Sequence, residues 1–187
     1  TNDSVLVGNI EQVIFENNHI ILRDFQNNMC VVFDNTGHFK TQLGKRGNGP
    51  GEYSYVYSMN FLNLSNDVFI DAYPKHYYIY DLEGHLKKSI PCVKVPEPFR
   101  ALTTVALTSD IYFSHLGAMG DFRYRGLAWG EKDGTPVYKL FSHYFEFDRA
   151  DEIEGYRVST NKWRYKDELR CHWREKDTIF TINKNLD

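Results

Sequence analysis

Apolar residues along this chain come in short runs, and Asn, Asp, Ser, Thr and Gly fill the breaks between them. Met29-Cys30-Val31-Val32-Phe33 and Tyr77-Tyr78-Ile79-Tyr80 are two such runs. Asp34-Asn35-Thr36-Gly37 follows the first and Asp81-Leu82-Glu83-Gly84 the second, each leading into a further strand-like segment, HFKTQL or HLKKSI. Runs of this length and composition predict paired strands joined by tight hairpins, with Gly37 and Gly84 supplying the positive φ that such turns demand. Asn17-Asn18 and Ser65-Asn66-Asp67 read as turns ahead of the preceding strands. Strand cores are expected near 10–16, 19–24, 29–34 and 38–43, then near 56–62, 67–72, 76–81 and 85–90. No segment carries a helical period over three turns.

The two groups of four strands are copies of one another. At an offset of 47, Asp34 falls on Asp81, Gly37 on Gly84, His38 on His85 and Lys40 on Lys87. Asp24 falls on Asp71, and Ile20-Ile21-Leu22 meets Val68-Phe69-Ile70 if Arg23 is treated as an extra residue. A third unit starts in the same style at Thr108-Ser109-Asp110-Ile111-Tyr112-Phe113, and Lys176 to Ile182 reads as a strand of a fourth. Four-stranded units repeating every 40–50 residues or so are the mark of a β-propeller. The expected fold is therefore all-β, a propeller domain with blades over about 8–43, 54–91, 99–148 and 153–187.

Between the first two units lies Gly44-Lys45-Arg46-Gly47-Asn48-Gly49-Pro50-Gly51-Glu52-Tyr53, rich enough in glycine to suggest a phosphate cradle. A P-loop needs its Lys-Ser or Lys-Thr after the glycines, at a helix start. Here Lys45 comes first, Pro50 interrupts, and Tyr53-Ser54-Tyr55-Val56 continues as a strand. Gly47, Gly49, Pro50 and Gly51 are expected to shape a crossing from one blade to the next.

This segment, with the Asn-Asp-apolar strand and the Tyr-Asp-x-x-Gly-His turn that follow, resembles an NHL-type repeat. More closely it is similar to the six-bladed β-propeller lipoprotein family of Gram-negative gut bacteria. The resemblance covers residues 8–91 tightly, 108–148 loosely, and resumes at Asp177-Thr178-Ile179-Phe180. It implies an exported protein, periplasmic or on the cell surface, held to a membrane only through a lipid anchor outside this sequence. Six blades of about 45 residues require about 270 residues, so a chain of 187 residues is expected to be part of such a propeller. The resemblance says little about activity, because propellers host binding, scaffolding and several chemistries.

Composition narrows the chemistry. A net charge of −3 and a pI near 6.1 give no global basic field for nucleic acid or anionic membrane. Cys30, Cys92 and Cys171 are odd in number and far apart, which suits neither a disulfide framework nor a Cys-x-x-Cys metal clip. The seven histidines show no ligand spacing, and no Gly-x-Ser-x-Gly elbow is present. No metal or cofactor is expected, and no catalytic residue is nominated.

Candidate binding residues remain. Asp24 and Asp71 either contribute to a ring of carboxylates along a central channel or cap turns as hydrogen-bond acceptors. Arg123, Arg125 and Trp129 sit in the divergent third unit, where insertions on a repeat scaffold commonly build binding faces. Trp163 and Arg164 belong to a stretch, Lys162 to Arg174, that interleaves aromatic and basic residues and also alternates as a half-buried strand should. The expected function is a non-catalytic binding or scaffolding propeller with a glycan or protein as ligand. The alternatives are a propeller enzyme acting on a polysaccharide or lactone, and an RNA-binding module of NHL type.

Overall fold

The computed structural model describes residues 5–74, 76–97, 99–118, 124–132, 135–140, 160–165, 168–173 and 179–182. The chain divides into two compact units, Thr1–Val93 and Lys94–Asp187. Among the described residues there is no helix.

The first unit holds two four-stranded antiparallel sheets, each built in chain order. β1 (Ile10–Glu16), β2 (His19–Asp24), β3 (Met29–Asp34) and β4 (Phe39–Gln42) make the first. β7 (Tyr55–Leu62), β8 (Asp67–Tyr73), β9 (His76–Asp81) and β10 (Leu86–Pro91) make the second. Between them, β5 (Lys45–Arg46) and β6 (Glu52–Tyr53) form a short parallel bridge across the glycine-rich crossing. The second unit repeats the plan with β11 (Phe99–Ala106), β12 (Ile111–Ala118), β13 (Tyr124–Lys132) and β14 (Thr135–Leu140), then β15 (Thr160–Tyr165), β16 (Glu168–Trp173) and β17 (Ile179–Ile182).

Turn chemistry explains why the chain folds back where it does. Asn17 and Asn18 both take positive φ (48° and 56°), the conformation of a two-residue hairpin that matches strand twist. Gly37 and Gly84 sit at φ of 86° and 89°. At each of these turns an aspartate closes the loop. Asp34 Oδ1 accepts from the backbone N–H of Thr36 (2.8 Å) and of His38 (2.9 Å), and Asp81 Oδ1 from Glu83 and His85 at 2.9 Å each.

The core of the first unit lies between its two sheets. Ile21, Cys30 and Val32 from the first pack against Val56, Met59, Phe61, Val68, Ile70, Ala72, Tyr78 and Tyr80 from the second. Removal of each such side chain from water is worth roughly 1.5–3 kcal/mol. In the second unit, Leu107, Ile111, Phe113, Ala128, Leu169 and Ile182 form the equivalent cluster. Edge backbone groups are met by amide side chains. Gln12 on β1 donates to the Met59 carbonyl (2.7 Å) and accepts from the Met59 N–H (3.2 Å). Asn28 does the same to β7, accepting from Val56 N–H (2.9 Å) and donating to the Ser54 carbonyl. Each amide stands in for a missing strand partner, so the edge of β7 is satisfied without a fifth strand.

Candidate functional site

The glycine-rich crossing is closed by its own side chains. Gly49 N–H donates to Glu52 Oε2 (2.9 Å), and Lys45 pairs with Glu52 Oε1 (3.1 Å). The Gly49 N–H, followed by the Lys45 contact, holds the Glu52 carboxyl below its ordinary range. An intramolecular carboxylate thus fills the position a phosphate would need. A Cβ on Gly47 would run into that carboxylate and displace it from its present place. Three phenols tie down the carbonyls: Tyr53 donates to Leu43 (2.7 Å), Tyr78 to Glu52 (3.0 Å) and Tyr80 to Gly51 (2.5 Å). Gly51 takes φ of 72°, and Pro50 precedes it in the turn.

Asp24 is fully buried and accepts four hydrogen bonds. They come from Gly8 N–H (2.6 Å) and Asn9 N–H (3.1 Å) of the leading segment, and from Asn27 N–H (3.1 Å) and Asn27 Nδ2 (2.8 Å) of the next turn. Burial pushes this carboxyl up, and the four donors together outweigh it and hold the pKa below its ordinary value. Both oxygens are engaged within the fold.

Asp71 is buried as well, but the ladders do not align it with Asp24. In the first sheet Arg23 pairs with Cys30 and with Gln12, next to a bulge at Glu11. In the second, Asp71 pairs with Tyr77 and with Ser58, next to a bulge at Tyr57. Arg23 is therefore no insertion. It stands where Asp71 stands, and the one-residue difference lies beyond it: Arg23 pairs with Cys30, seven positions on, and Asp71 with Tyr77, six positions on. His115 holds the same place in the third sheet, paired with Thr103 beside a bulge between Ala101 and Thr103. Arg23, Asp71, His115 and His172 are each the fifth residue of their sheet's second strand. One register position, marked by the bulge on the neighbouring strand, thus carries an ionisable side chain in the first three four-stranded sheets.

What surrounds that position differs. Arg23 donates to the Val56 carbonyl (3.0 Å) and pairs with Glu11 on the bulge of its own sheet. At Asp71 the bulge residue is Tyr57, whose phenol is pushed up by burial and then by the nearby Asp71 carboxylate, Tyr73 and Tyr55. Tyr57 belongs to a row of rings at the start of β7. Phe25 meets Tyr55 edge-on at 6.0 Å, and Tyr55 meets Tyr57 at 5.2 Å. Phe25, Tyr57 and Tyr73 are exposed at 44, 39 and 51%. Tyr55 and Tyr73 are ladder partners, so the β2–β3 turn, the start of β7 and the end of β8 converge on one aromatic platform with a carboxylate beneath it.

Of the other nominated residues, Trp129 on β13 is 8% exposed, lies 4.7 Å from Tyr112, and donates its Nε1–H to Ser114 Oγ (2.8 Å), which also meets Thr104 Oγ1 (2.8 Å). Arg123 lies outside the described residues. Arg125 on β13 pairs with Leu116, while Trp163 and Arg164 on β15 pair with Arg170 and Leu169. Their side chains lie outside what is described. Among the described residues no three His, Cys, Asp or Glu side chains gather as for a metal. Sequence reasoning overlooked the platform. The alternation Tyr53-Ser54-Tyr55-Val56-Tyr57 reads as one strand face and does not show that Tyr53 is buried while Tyr57 is 39% exposed.

No curated protein matches this sequence. Solved structures similar to it include β-propeller domains and two proteins of Bacteroides. A candidate exported protein of Bacteroides fragilis NCTC 9343 is 16% identical over 100% of this chain, with a TM-score of 0.54. A member of the DUF4221 family from Bacteroides vulgatus ATCC 8482 is 13% identical over 96%, with a TM-score of 0.59. The β-propeller domain of Myceliophteria thermophila Cps50 (Swd1) is 11% identical over 99%, with a TM-score of 0.56. The chain spans 72, 56 and 55% of the length of those three proteins, respectively. At such identities the likeness establishes the fold, a β-propeller built of four-stranded antiparallel blades. Residues 1–186 match the family described as Domain of unknown function (DUF4934), and the chain belongs to that family.

Proposed function

We propose that this protein is an exported, non-catalytic binding propeller whose ligand meets the aromatic platform of Phe25, Tyr55, Tyr57 and Tyr73. The observation that carries the reading is the contrast between the platform and the other polar groups of the first unit. Asp24, Asp34, Asp81 and Glu52 spend their carboxylates on turns and crossings, whereas the platform turns large rings to solvent. Exposed aromatic clusters on a rigid scaffold mark binding faces more often than they mark chemistry. A net charge of −3 and a pI near 6.1 set the RNA-binding alternative behind the others.

Export is supported by the resemblance of residues 8–91 and by the candidate exported protein among the similar folds, whereas a lipoprotein of six blades related to the NHL type rests on that resemblance alone. The test incubates the full-length protein with neutral polysaccharides and aryl lactones while following new reducing ends and ring opening. Retention on a ligand with no turnover is expected. Turnover that survives repurification would replace this reading with the enzyme. Fractionation of native cells with protease shaving of intact ones tests location: the protein is expected in the envelope fractions, cleaved by shaving if on the surface and protected if periplasmic, and recovery in the cytoplasmic fraction would overturn export.

A further inference from the structure

We infer that Asn48-Gly49 is a latent deamidation site in the glycine-rich crossing, which the Glu52 carboxylate keeps shut by holding the Gly49 N–H. The inference does not depend on what the protein binds.

The chemistry starts from the dipeptide. Asn48-Gly49 is the one Asn-Gly step in the sequence. Glycine leaves its own nitrogen unshielded and its backbone free to rotate, so that nitrogen can attack the side chain of the preceding Asn. In that step the Gly49 nitrogen gives up its proton to solvent and bonds to Asn48 Cγ. The Cγ–Nδ2 bond breaks, and Nδ2 leaves as ammonia, taking a proton back from solvent. Water then opens the cyclic imide at either carbonyl, giving Asp or isoaspartate. Water is the sole co-reactant, and nothing is oxidised or reduced.

The fold presents one half of this pair and withholds the other. Asn48 is exposed, so water reaches it. Gly49 is tied at both backbone groups: its N–H donates to Glu52 Oε2 (2.9 Å), and its carbonyl accepts from the Glu52 N–H (2.9 Å). The carboxylate is itself anchored by Lys45 (3.1 Å). Gly47 N–H donates to the Tyr53 carbonyl (3.1 Å), beside the pairing of β5 with β6. Attack requires the Gly49 N–H to leave Glu52 and then to lose its proton. The negative charge opposes that loss, because an amide anion would form beside a carboxylate. Glu52 is also a poor base for the proton, since the Gly49 N–H, followed by Lys45, holds its carboxyl below the ordinary range.

The liability and the lock have one origin. A Cβ on Gly49 would stand 3.1 Å from the Glu52 carboxyl, closer than ordinary contact. The small residue that lets the carboxylate sit against the crossing is the one that makes Asn48 labile. Isoaspartate adds a methylene to the backbone and a second carboxylate close to Glu52, so a crossing that has opened and reacted does not re-form the same pairing.

The experiment ages the full-length protein in mildly alkaline buffer, native and in urea, and follows the fragment holding residues 44–53 by peptide mapping. The amide-to-acid mass gain gives the rate, and labelling by isoaspartyl methyltransferase identifies isoaspartate. The native protein is expected to react about 10-fold more slowly than the chain in urea, and folded Glu52→Ala about 10-fold faster than native wild type, the rate equivalent of one charge-assisted hydrogen bond. Glu52→Gln keeps the shape and a neutral acceptor, so its rate should fall between them. That variant decides the matter if circular dichroism shows Glu52→Ala unfolded. Asn48→Gln should abolish the signal in every state. Equal rates native and in urea overturn the lock, as do folded Glu52 variants that react no faster than wild type. A slower reaction in those variants overturns it too and makes Glu52 a base. No reaction even in urea, or a signal that survives Asn48→Gln, overturns the site.

Discussion

The first and second sheets share one pattern and differ in what covers them. Val13 and Phe15 on β1 occupy the ladder positions of Met59 and Phe61 on β7. Yet Val13 and Phe15 are 58 and 63% exposed, against 2 and 5% for Met59 and Phe61. The difference is not in the strands. β7 has a sheet packed over it, with Ile14 and Ile21 on its apolar side and Gln12 on its backbone. Within this unit, one sequence pattern is thus buried where a sheet lies over it and open where none does. Chemistry diverges at the same register too, where the Glu11–Arg23 ion pair of the first sheet becomes Tyr57 beside Asp71 in the second.

The sharpest way to break this comparison is to truncate the paired phenylalanines. Phe61→Ala should cost about 3–4 kcal/mol in urea unfolding, the cavity range for a buried ring, and Phe15→Ala no more than about 0.5–1 kcal/mol. Equal losses would mean that β1 is as buried in the protein as β7.

Next comes Asp24. Asp24→Ala strands three backbone N–H groups and should cost about 2–3 kcal/mol by the same assay. Asp24, Asp34 and Asp81 all have native pKa values below those of the unfolded chain. At Asp34 the hydroxyl of Thr36, followed by the His38 N–H, lowers the carboxyl to about 2. The stability these groups contribute is complete above the ordinary carboxylate range. It is lost as pH falls from about 4 through their native values. An acid titration of the unfolding free energy should show that slope between about pH 4 and 2, and Asp24→Asn should make it shallower.

Gln12→Ala removes the amide that serves both backbone groups of Met59, and about 1–2 kcal/mol should be lost. Cys30 offers a check without mutation. Burial pushes its thiol up to about 12 even though Arg23 pulls the other way. Peptide mapping after iodoacetamide should find Cys30 unmodified in the folded protein and labelled once it is unfolded. The smallest effect belongs to Lys40→Ala, which breaks the exposed Lys40–Glu83 pair (2.8 Å) linking the sheets. It should change stability by less than about 0.5 kcal/mol.

Much of the fold was legible from residues alone. The expected strands at 10–16, 19–24, 29–34 and 76–81 coincide with β1, β2, β3 and β9, and the others differ only at their ends. Hairpins read well because Asn17-Asn18, Gly37 and Gly84 write their φ angles into the chain. Alignment around Arg23 did not read correctly, because matching Asp24 to Asp71 by letter hides a turn one residue longer. Only the ladder reveals which side chains share a face.

Local order, then, was determined by the sequence itself: strand, turn, repeat and the rejection of a phosphate loop all follow from period-two patterning and the backbone demands of Gly, Asn and Pro. Tertiary structure decided what each surface is for. It laid the first sheet over β7, put Glu52 against the Gly49 N–H, and brought Phe25 from one sheet to Tyr55 and Tyr57 of the next. The physical reason is range. A strand's conformation is set by neighbours along the chain, whereas burial and the meeting of side chains depend on residues about 30 positions away, which no local period encodes.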